Sequence, residues 1–358
     1  AVARDGTATL DILAAAPEVE LAALFTPEHG LESAREGAIE GGHDPTRDLP
    51  IHSLFGKTRK PTAAMLDGID MLVVDLFDVG TRFYTYASTV HQVMRGAAEH
   101  GVPVLILDRP NPLGGLAVEG PVLDPDVRTF VNYHRLPVRH GLTLGELAAL
   151  VAAEKNIAVS LGVVPATAWR RGALHADTGL PFRAPSPNLR DAHATLLYPA
   201  VGLLESTNLS VGRGTDAPFA LLGAPWLEHG GLLAALQGEG LPGLEVALAE
   251  FTPSARPHRG QPCKGLRLRV TDPRTFRPVD TALGIARALA RLHPGQWTGK
   301  DLQRLLAHRR SHRAVLRGAP LSRIARLYER ELAEFRARRA RYLRYPTCPD
   351  AAAVDSGD

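Results

Sequence analysis

The sequence predicts an α/β protein in two parts, a parallel-sheet domain over residues 1–165 and a second α/β domain over residues 166–358. Three observations predict it. Short β-rich runs alternate with helical periodicity through the first half, the pattern of βαβ units. Those runs are almost continuously apolar, as in strands covered by helices on both faces. At 358 residues the chain also exceeds what one hydrophobic core usually serves.

In chain order, residues 9–16 read as a helix and residues 19–25 as a strand. Residues 61–67 form a helix with Pro61 near its start, and residues 71–76 a strand. A helix over residues 86–100 is closed by Gly101, and residues 102–107 read as the third strand. Thr143 and Glu146 have capping-box spacing, which starts a helix running to about residue 156, with a strand over 158–164 behind it. The Pro- and Gly-rich passage 184–226 has few periodic runs and reads as binding loops and the domain junction. Beyond it, residues 244–251 and 266–270 read as strands, and residues 280–292, 301–308 and 322–342 as helices. Arg323, Arg326, Arg330, Arg336, Arg338, Arg339, Arg341 and Arg344 crowd the end of the chain. Glu329, Glu331 and Glu334 are interleaved with them, which favours a solvated helix face over a nucleic-acid stripe. Residues 351–358 are small and acidic and read as a frayed tail.

Composition narrows the function. Apolar residues at 45% and charged residues at 22% match a packed soluble protein and not a disordered one. No apolar run approaches the ~20 residues of a membrane span, since Met71-Leu72-Val73-Val74 is cut short by Asp75. The 41 Lys and Arg are nearly matched by 38 Asp and Glu, so bulk charge does not argue for nucleic acid. Cys263 and Cys348 lack metal-ligand spacing and allow one bridge at most, which leaves the compartment undecided. The chain starts at Ala1 without a charged-then-apolar leader, so localisation stays open between cytoplasmic and extracytoplasmic.

The strongest signal for chemistry is positional. Ligands of open parallel sheets gather beyond the carboxyl ends of the strands, and three polar clusters fall there: Pro27-Glu28-His29-Gly30, Asp75 with Asp78-Val79-Gly80, and Asp108-Arg109-Pro110-Asn111-Pro112. Partial burial of Glu28 suits a general acid, the alternative being a turn with a capping carboxylate. Asp75 interrupts an apolar run and must be paired or functional, with Arg82 or Arg109 as partners in the plainer case. Arg82, Tyr84 and Tyr86 in one turn can stack on a sugar and bond its hydroxyls, although aromatic residues there are as often core. Asn188 and the stretch from Asn208 to Thr215, with Arg213, offer amides and a cation for a carboxylate or sugar. Gly212-x-Gly214 lacks the context of a nucleotide fingerprint. A zinc site from His29, His43, Asp44 and Asp75 has no paired-histidine helix behind it, so no metal is assigned, and no nucleophile elbow is present.

Taken in order, Pro27-Glu28-His29-Gly30, Asp75-x-x-Asp78-Val79-Gly80-x-Arg82-Phe83-Tyr84-Thr85-Tyr86, Leu107 to Gly115, Glu119-Gly120-Pro121, Arg139-His140-Gly141, Pro185-Ser186-Pro187-Asn188, Thr207-Asn208 to Thr215 and Pro225-Trp226 closely resemble the exo-β-N-acetylmuramidase family of peptidoglycan-degrading glycoside hydrolases. The resemblance covers almost the whole chain. It implies a Rossmann-like domain joined to a second α/β domain, with the active site in a cleft between them. It further implies release of terminal N-acetylmuramic acid from the non-reducing ends of peptidoglycan-derived glycans, without an organic cofactor. Glu28 matches the family's proposed catalytic glutamate and is expected to be the general acid, with His29 and Asp75 in supporting catalytic roles. Arg82, Tyr84, Tyr86, Asp108, Arg109, Asn111, His140, Asn188, Asn208 and Arg213 are expected to bind substrate. The lactyl carboxylate needs a cation, for which Arg82, Arg109, Arg139 and Arg213 are available. Two departures from the family pattern stand out. Leu31-Glu32-Ser33 replaces the usual glycine and arginine after the first motif, and residues 1–6 are too short and polar to form the strand expected ahead of the first helix, as in a truncated N-terminus. A non-catalytic carbohydrate-binding protein and a metal-dependent hydrolase are the competing readings.

Overall fold

The computed structural model describes residues 1–347. It opens with α1 (Thr9–Ala15) and β1 (Leu24–Thr26), then a hairpin of β2 (Gly42–Asp44) and β3 (Leu49–Ser53). β3 lies parallel to β1, with Leu24 opposite Ile51. After the one-turn α2 (Ala63–Leu66) come β4 (Leu72–Val74), α3 (Thr85–His100), β5 (Val104–Leu107), α4 (Leu144–Glu154) and β6 (Leu161–Val164). β4, β5 and β6 form an all-parallel sheet in that order. The second half contains α5 (Ala192–Val201), β7 (Leu221–Ala224), α6 (His229–Gln237), β8 (Leu244–Phe251), β9 (Cys263–Val270) and α7 (Pro278–Leu292). Its sheet is antiparallel, in the order β7-β9-β8. The chain then closes with α8 (Gln303–Leu306), α9 (Arg309–Leu316), α10 (Leu321–Arg326) and α11 (Glu329–Arg339).

Local chemistry explains the boundaries that sequence located well. Gly101 ends α3 at φ 71°, a left-handed position that glycine takes without steric cost. Thr143 caps α4 through its side chain, and Glu146 returns the bond to the Thr143 backbone, so the capping box is complete.

Several expectations are corrected. The strand expected over 19–25 begins only at Leu24, because pairing starts where β3 supplies a partner, and Val19 is exposed. β1 joins a small sheet of its own instead of the β4-β5-β6 sheet, and β3 carries Pro50, a residue that disguises a strand in sequence. Burial on both faces fails as well. Leu72, Val74, Val104 and Ile106 are buried, whereas Val73 is 41% and Val164 46% exposed, so one face of the parallel sheet is open. The passage 184–226 contains α5 and β7 besides its loops. The helix expected over 322–342 breaks into α10, α11 and a 3-10 turn. Its arginine face is partly structural, since buried Arg339 donates to the carbonyls of Gly115 (3.1 Å), His140 (3.2 Å) and Gly141 (2.9 Å).

The two halves share one core. A contiguous apolar cluster runs from Leu54 to Phe335, and polar ties cross it. Arg82 is the strongest of these. It is 0% exposed, with Nη1 donating to the carbonyls of Pro121 and Leu136 (both 2.9 Å) and Nη2 to those of Leu305 (2.6 Å) and Leu306 (2.9 Å). Its expected contact with substrate is therefore corrected, because the terminal nitrogens are spent on four backbone oxygens out of reach of solvent. Cys263 is buried and free, while Cys348 and residues 351–358 lie outside the described residues. Among the described residues no helix is long and apolar enough to cross a membrane. We expect Arg82→Lys to destabilise the protein by about 3 kcal/mol or more, since one ammonium cannot satisfy four buried carbonyls. Chemical denaturation of parent and variant measures this, and an unchanged midpoint would remove Arg82 as the tie between the halves.

Candidate active site

The first motif leaves β1 as a tight turn in which His29 and Gly30 both take positive φ, 75° and 76°. For histidine this is an uncommon, strained conformation of the kind concentrated at functional sites. The His29 ring is anchored by Nδ1 at 2.7 Å from the carbonyl of Arg35. A carbonyl only accepts, so Nδ1 carries a hydrogen in this contact. Glu28, half-buried beside it, accepts a 2.7 Å hydrogen bond at Oε2 from Oγ1 of Thr85, the first residue of α3. The carboxyl thus faces the positive end of a 16-residue helix.

The residues flanking Thr85 bring in the next wall. Tyr84 and Tyr86 are buried, their rings 4.8 Å apart, and both hydroxyls donate to the carbonyl of Pro185 at 2.8 Å. Each ring centre lies 6.5 Å from that of His29. Burial pushes both phenols above their ordinary range. The Pro185 loop also carries Asn188, whose Nδ2 donates to Oε1 of Glu36. Arg213 donates to the same oxygen from Nη1 at 2.5 Å and sets Nε against Oε1 of Glu205 at 2.5 Å. Glu28, His29, Tyr84, Tyr86, Asn188 and Arg213 are thereby gathered from four distant segments. Glu36 and Thr85 were missed as members. The signal for Thr85 was its place at the helix start between two tyrosines, whereas nothing in sequence marked Glu36.

The other expected site residues are held elsewhere. Asp75 forms a two-point pair with Arg109, Oδ1 to Nε at 2.5 Å and Oδ2 to Nη2 at 2.8 Å, and Arg109 also binds the Val2 carbonyl and Thr9. This pair fastens the start of the chain, which is the plainer reading of Asp75. Asp108 accepts from Thr143 Oγ1 (2.6 Å), the Gly145 amide (2.8 Å) and the Tyr345 hydroxyl (2.6 Å), fixing the start of α4 and the end of the described chain. Asn111 bonds the Leu142 carbonyl and the Leu113 amide, each at 2.9 Å. It packs so closely on Gly80 that a Cβ there would meet Oδ1 at 2.4 Å. His140 is wholly buried, and burial lowers its pKa to about 3. Asn208 bridges to the Gln296 carbonyl and the Thr298 amide. Arg139 is taken by Glu119 and the Leu113 carbonyl. The four side chains weighed for zinc are engaged separately, His43 with Asp48 and Asp44 with Arg47. Among the described residues no cluster of three or more His, Cys, Asp or Glu is placed to hold a metal ion.

One carboxyl of the second motif stands apart. Asp78 is 7% exposed; its Oδ2 accepts from the Gly80 amide at 2.8 Å, and its Oδ1 is buried with no hydrogen-bond partner among the described residues. Burial pushes its pKa up to about 7. Its charge acts on Tyr84, Tyr86 and Tyr198, and that of Glu28 on Tyr86 and Tyr198, each raising the phenol's pKa.

Fold and site define a class, a two-part α/β protein with a carboxyl-bearing turn and buried phenols around one helix start. The chain belongs to the exo-β-N-acetylmuramidase family: residues 1–193 match the family described as Exo-beta-N-acetylmuramidase NamZ, N-terminal, and residues 196–345 its C-terminal counterpart. It is 41% identical over 343 residues to the peptidoglycan beta-N-acetylmuramidase NamZ of Bacillus subtilis (strain 168), covering 94% of this chain and 83% of that protein. Two crystal structures of DUF1343 family proteins from Bacteroides fragilis NCTC 9343 are similar. One has TM-score 0.82 and 31% identity, covering 96% of this chain and 91% of that one; the other has TM-score 0.75 and 29% identity, covering 95% and 90%.

Because the folded pKa of Asp78 lies above its unfolded value near 3.8, ionising it costs stability as pH rises from about 4, and the full cost is present above about 7. Asp78→Asn is expected to melt higher than the parent at pH 8, with the difference fading toward pH 4. Melting curves at both pH values measure it, and a lower melting temperature at pH 8 contradicts a strained carboxyl.

Proposed function

We propose that the protein is an exo-acting β-N-acetylmuramidase that removes terminal N-acetylmuramic acid from the non-reducing ends of peptidoglycan-derived glycans. Membership of the family and the likeness to the Bacillus subtilis enzyme support the reaction. The observation that carries the site is Glu28, held half-buried by Thr85 at the start of α3 on a strained turn. Glu28 acts as the general acid, giving its proton to the leaving glycosidic oxygen. His29 and the Tyr84–Tyr86 pair shape the wall beside it, and the phenyl faces suit a sugar ring. We assign this site to a cleft between a Rossmann-like first part and the second part, closed by the Pro185 and Arg213 loops.

Specificity for muramic acid requires a cation for the lactyl carboxylate. Of the four arginines considered, Arg82, Arg109 and Arg139 are committed to buried or structural partners. Arg213 takes this role, since Nη2 belongs to neither of its ion pairs and the guanidinium is already oriented by Glu36 and Glu205. A sugar without the lactyl group forgoes this contact, which disfavours N-acetylglucosamine at the chain end.

Glu28→Gln is expected to lower turnover at least ~100-fold with the fold intact, because an amide cannot deliver the proton. Matched disaccharides ending in either sugar test the whole reading. Free N-acetylmuramic acid should appear first from one and nothing from the other. Equal hydrolysis of both, or near-parental turnover by the glutamine variant, rules the proposal out.

A further inference from the structure

We infer that Glu36 is a resident stand-in for the substrate's lactyl carboxylate: it occupies the carboxylate seat on Arg213 and Asn188 in the free enzyme, yields it when N-acetylmuramic acid enters, and reclaims it as the product leaves. The inference rests on the muramidase reading, with Arg213 as the lactyl contact, and deepens it. Oε1 of Glu36 accepts from Nη1 of Arg213 at 2.5 Å and from Nδ2 of Asn188, so one carboxylate oxygen already sits between a guanidinium and an amide. Glu205 faces Nε of the same guanidinium at 2.5 Å, which leaves the end formed by Nη1 and Nη2 for a two-point grip on a carboxylate. Glu36 holds half of that end. Arg213 thus carries two carboxylates, and a third is repelled unless one of them leaves. Glu36 is the one free to go, since its side chain is 51% exposed and it lies in the irregular connection between β1 and β2. The seat adjoins the reacting centre from both sides. Arg35, next to Glu36, accepts from His29 Nδ1 at its carbonyl (2.7 Å) and donates its amide to the His29 carbonyl (3.3 Å), and His29 follows Glu28. From the other side, Cζ of Arg213 is 5.4 Å from the ring centre of Phe219, which is 4.9 Å from that of Tyr198, itself 5.8 Å from that of Tyr84.

The exchange leaves the charge around Arg213 unchanged. One carboxylate replaces another, so the guanidinium is never left unpaired and never surrounded by three anions. The Glu36 side chain turns into solvent, while its backbone stays in place because Arg35 is pinned to His29 at two points. A neutral sugar brings nothing that displaces Glu36, so the seat answers only to an anionic substituent. The arrangement weakens binding of the acid by the fraction of free molecules in which the seat is taken. It favours turnover in return, because the released monosaccharide keeps its lactyl carboxylate and Glu36 competes with it for Arg213.

Calorimetric titration of parent and Glu36→Gln with free N-acetylmuramic acid and with its lactyl methyl ester tests this. The amide keeps the size of the side chain but holds a guanidinium less firmly. Kd for the acid should therefore fall at least ~5-fold in the variant, while Kd for the ester moves by less than ~2-fold. If Glu36 only orients Arg213 and Asn188, its loss weakens the acid instead. A folded Glu36→Gln with an unchanged or raised Kd for the acid, or with acid and ester tightened alike, overturns the inference and leaves the muramidase reading standing. Should the variant fail to fold, a crystal structure of the parent with N-acetylmuramic acid decides. The lactyl carboxylate on Nη1 with Glu36 turned away supports the inference, and Glu36 still on Nη1 beside the bound sugar overturns it. A parent that binds acid and ester equally removes Arg213 as the lactyl contact, and one that releases no N-acetylmuramic acid from glycans overturns the muramidase reading; the inference falls with either.

Discussion

Arg82 joins parts of the chain that meet only in the folded state. Its guanidinium reaches the carbonyls of Pro121 and Leu136 on one side and of Leu305 and Leu306 on the other. Two residues later the chain presents Tyr84, and then Thr85 opens α3. Everything that faces Glu28 from this side depends on where that helix begins. A buried arginine bound only to neutral carbonyls is expensive to desolvate, and its four bonds offset that cost because each is charge-assisted. The helix start is thus set by a polar anchor inside the core, and the site inherits its position from that anchor.

Behind the site lies a second layer of buried polar groups that hold backbone. Glu146 pairs with Arg171 at 2.6 Å in a location from which water is excluded, and its other oxygen completes the cap of α4. Asp108 joins Thr143 to Tyr345, and Arg339 joins α11 to the loop at Gly115 and Gly141. The effect is to bring the C-terminal helices back onto the first half. Buried pairs of this kind add little net stability, but losing one partner leaves an uncompensated charge, so they define one arrangement at the expense of others.

The site has the opposite character. Its members come from the turn after β1, the start of α3, the Pro185 loop and the Arg213 loop. Glu36 links the last two by accepting from both Asn188 and Arg213. His29 sits in a conformation unfavourable for its type, and Asp78 keeps an oxygen without a partner. Such groups are not confined to the site, since Glu119 Oε2 and both ring nitrogens of His175 are also buried without partners among the described residues. Asp78 differs from Asp108, which accepts from Thr143, Gly145 and Tyr345, although both aspartates follow neighbouring parallel strands.

Sequence alone determined the elements whose signals are local. The apolar runs of β4 and β5, the closure of α3 at Gly101 and the capping box of α4 rest on contacts within a few residues, and each was legible. So were the motifs that carry the family, and with them Glu28 and His29, since turn chemistry after a strand is written in adjacent residues. Residues 42–53 hid a hairpin because β2 is only three residues long and β3 carries Pro50, so neither records a strand periodicity. What the polar residues do was decided only in three dimensions. Asp75, Arg82, Asp108, Asn111 and Asn208 have the composition of a binding site, yet each is taken up by backbone or a counter-ion from a distant segment. Glu36 gained its place beside Asn188 and Arg213 for the same reason. A charged side chain's role depends on which partner reaches it first, and that partner is supplied by the tertiary fold, not by its neighbours in the chain.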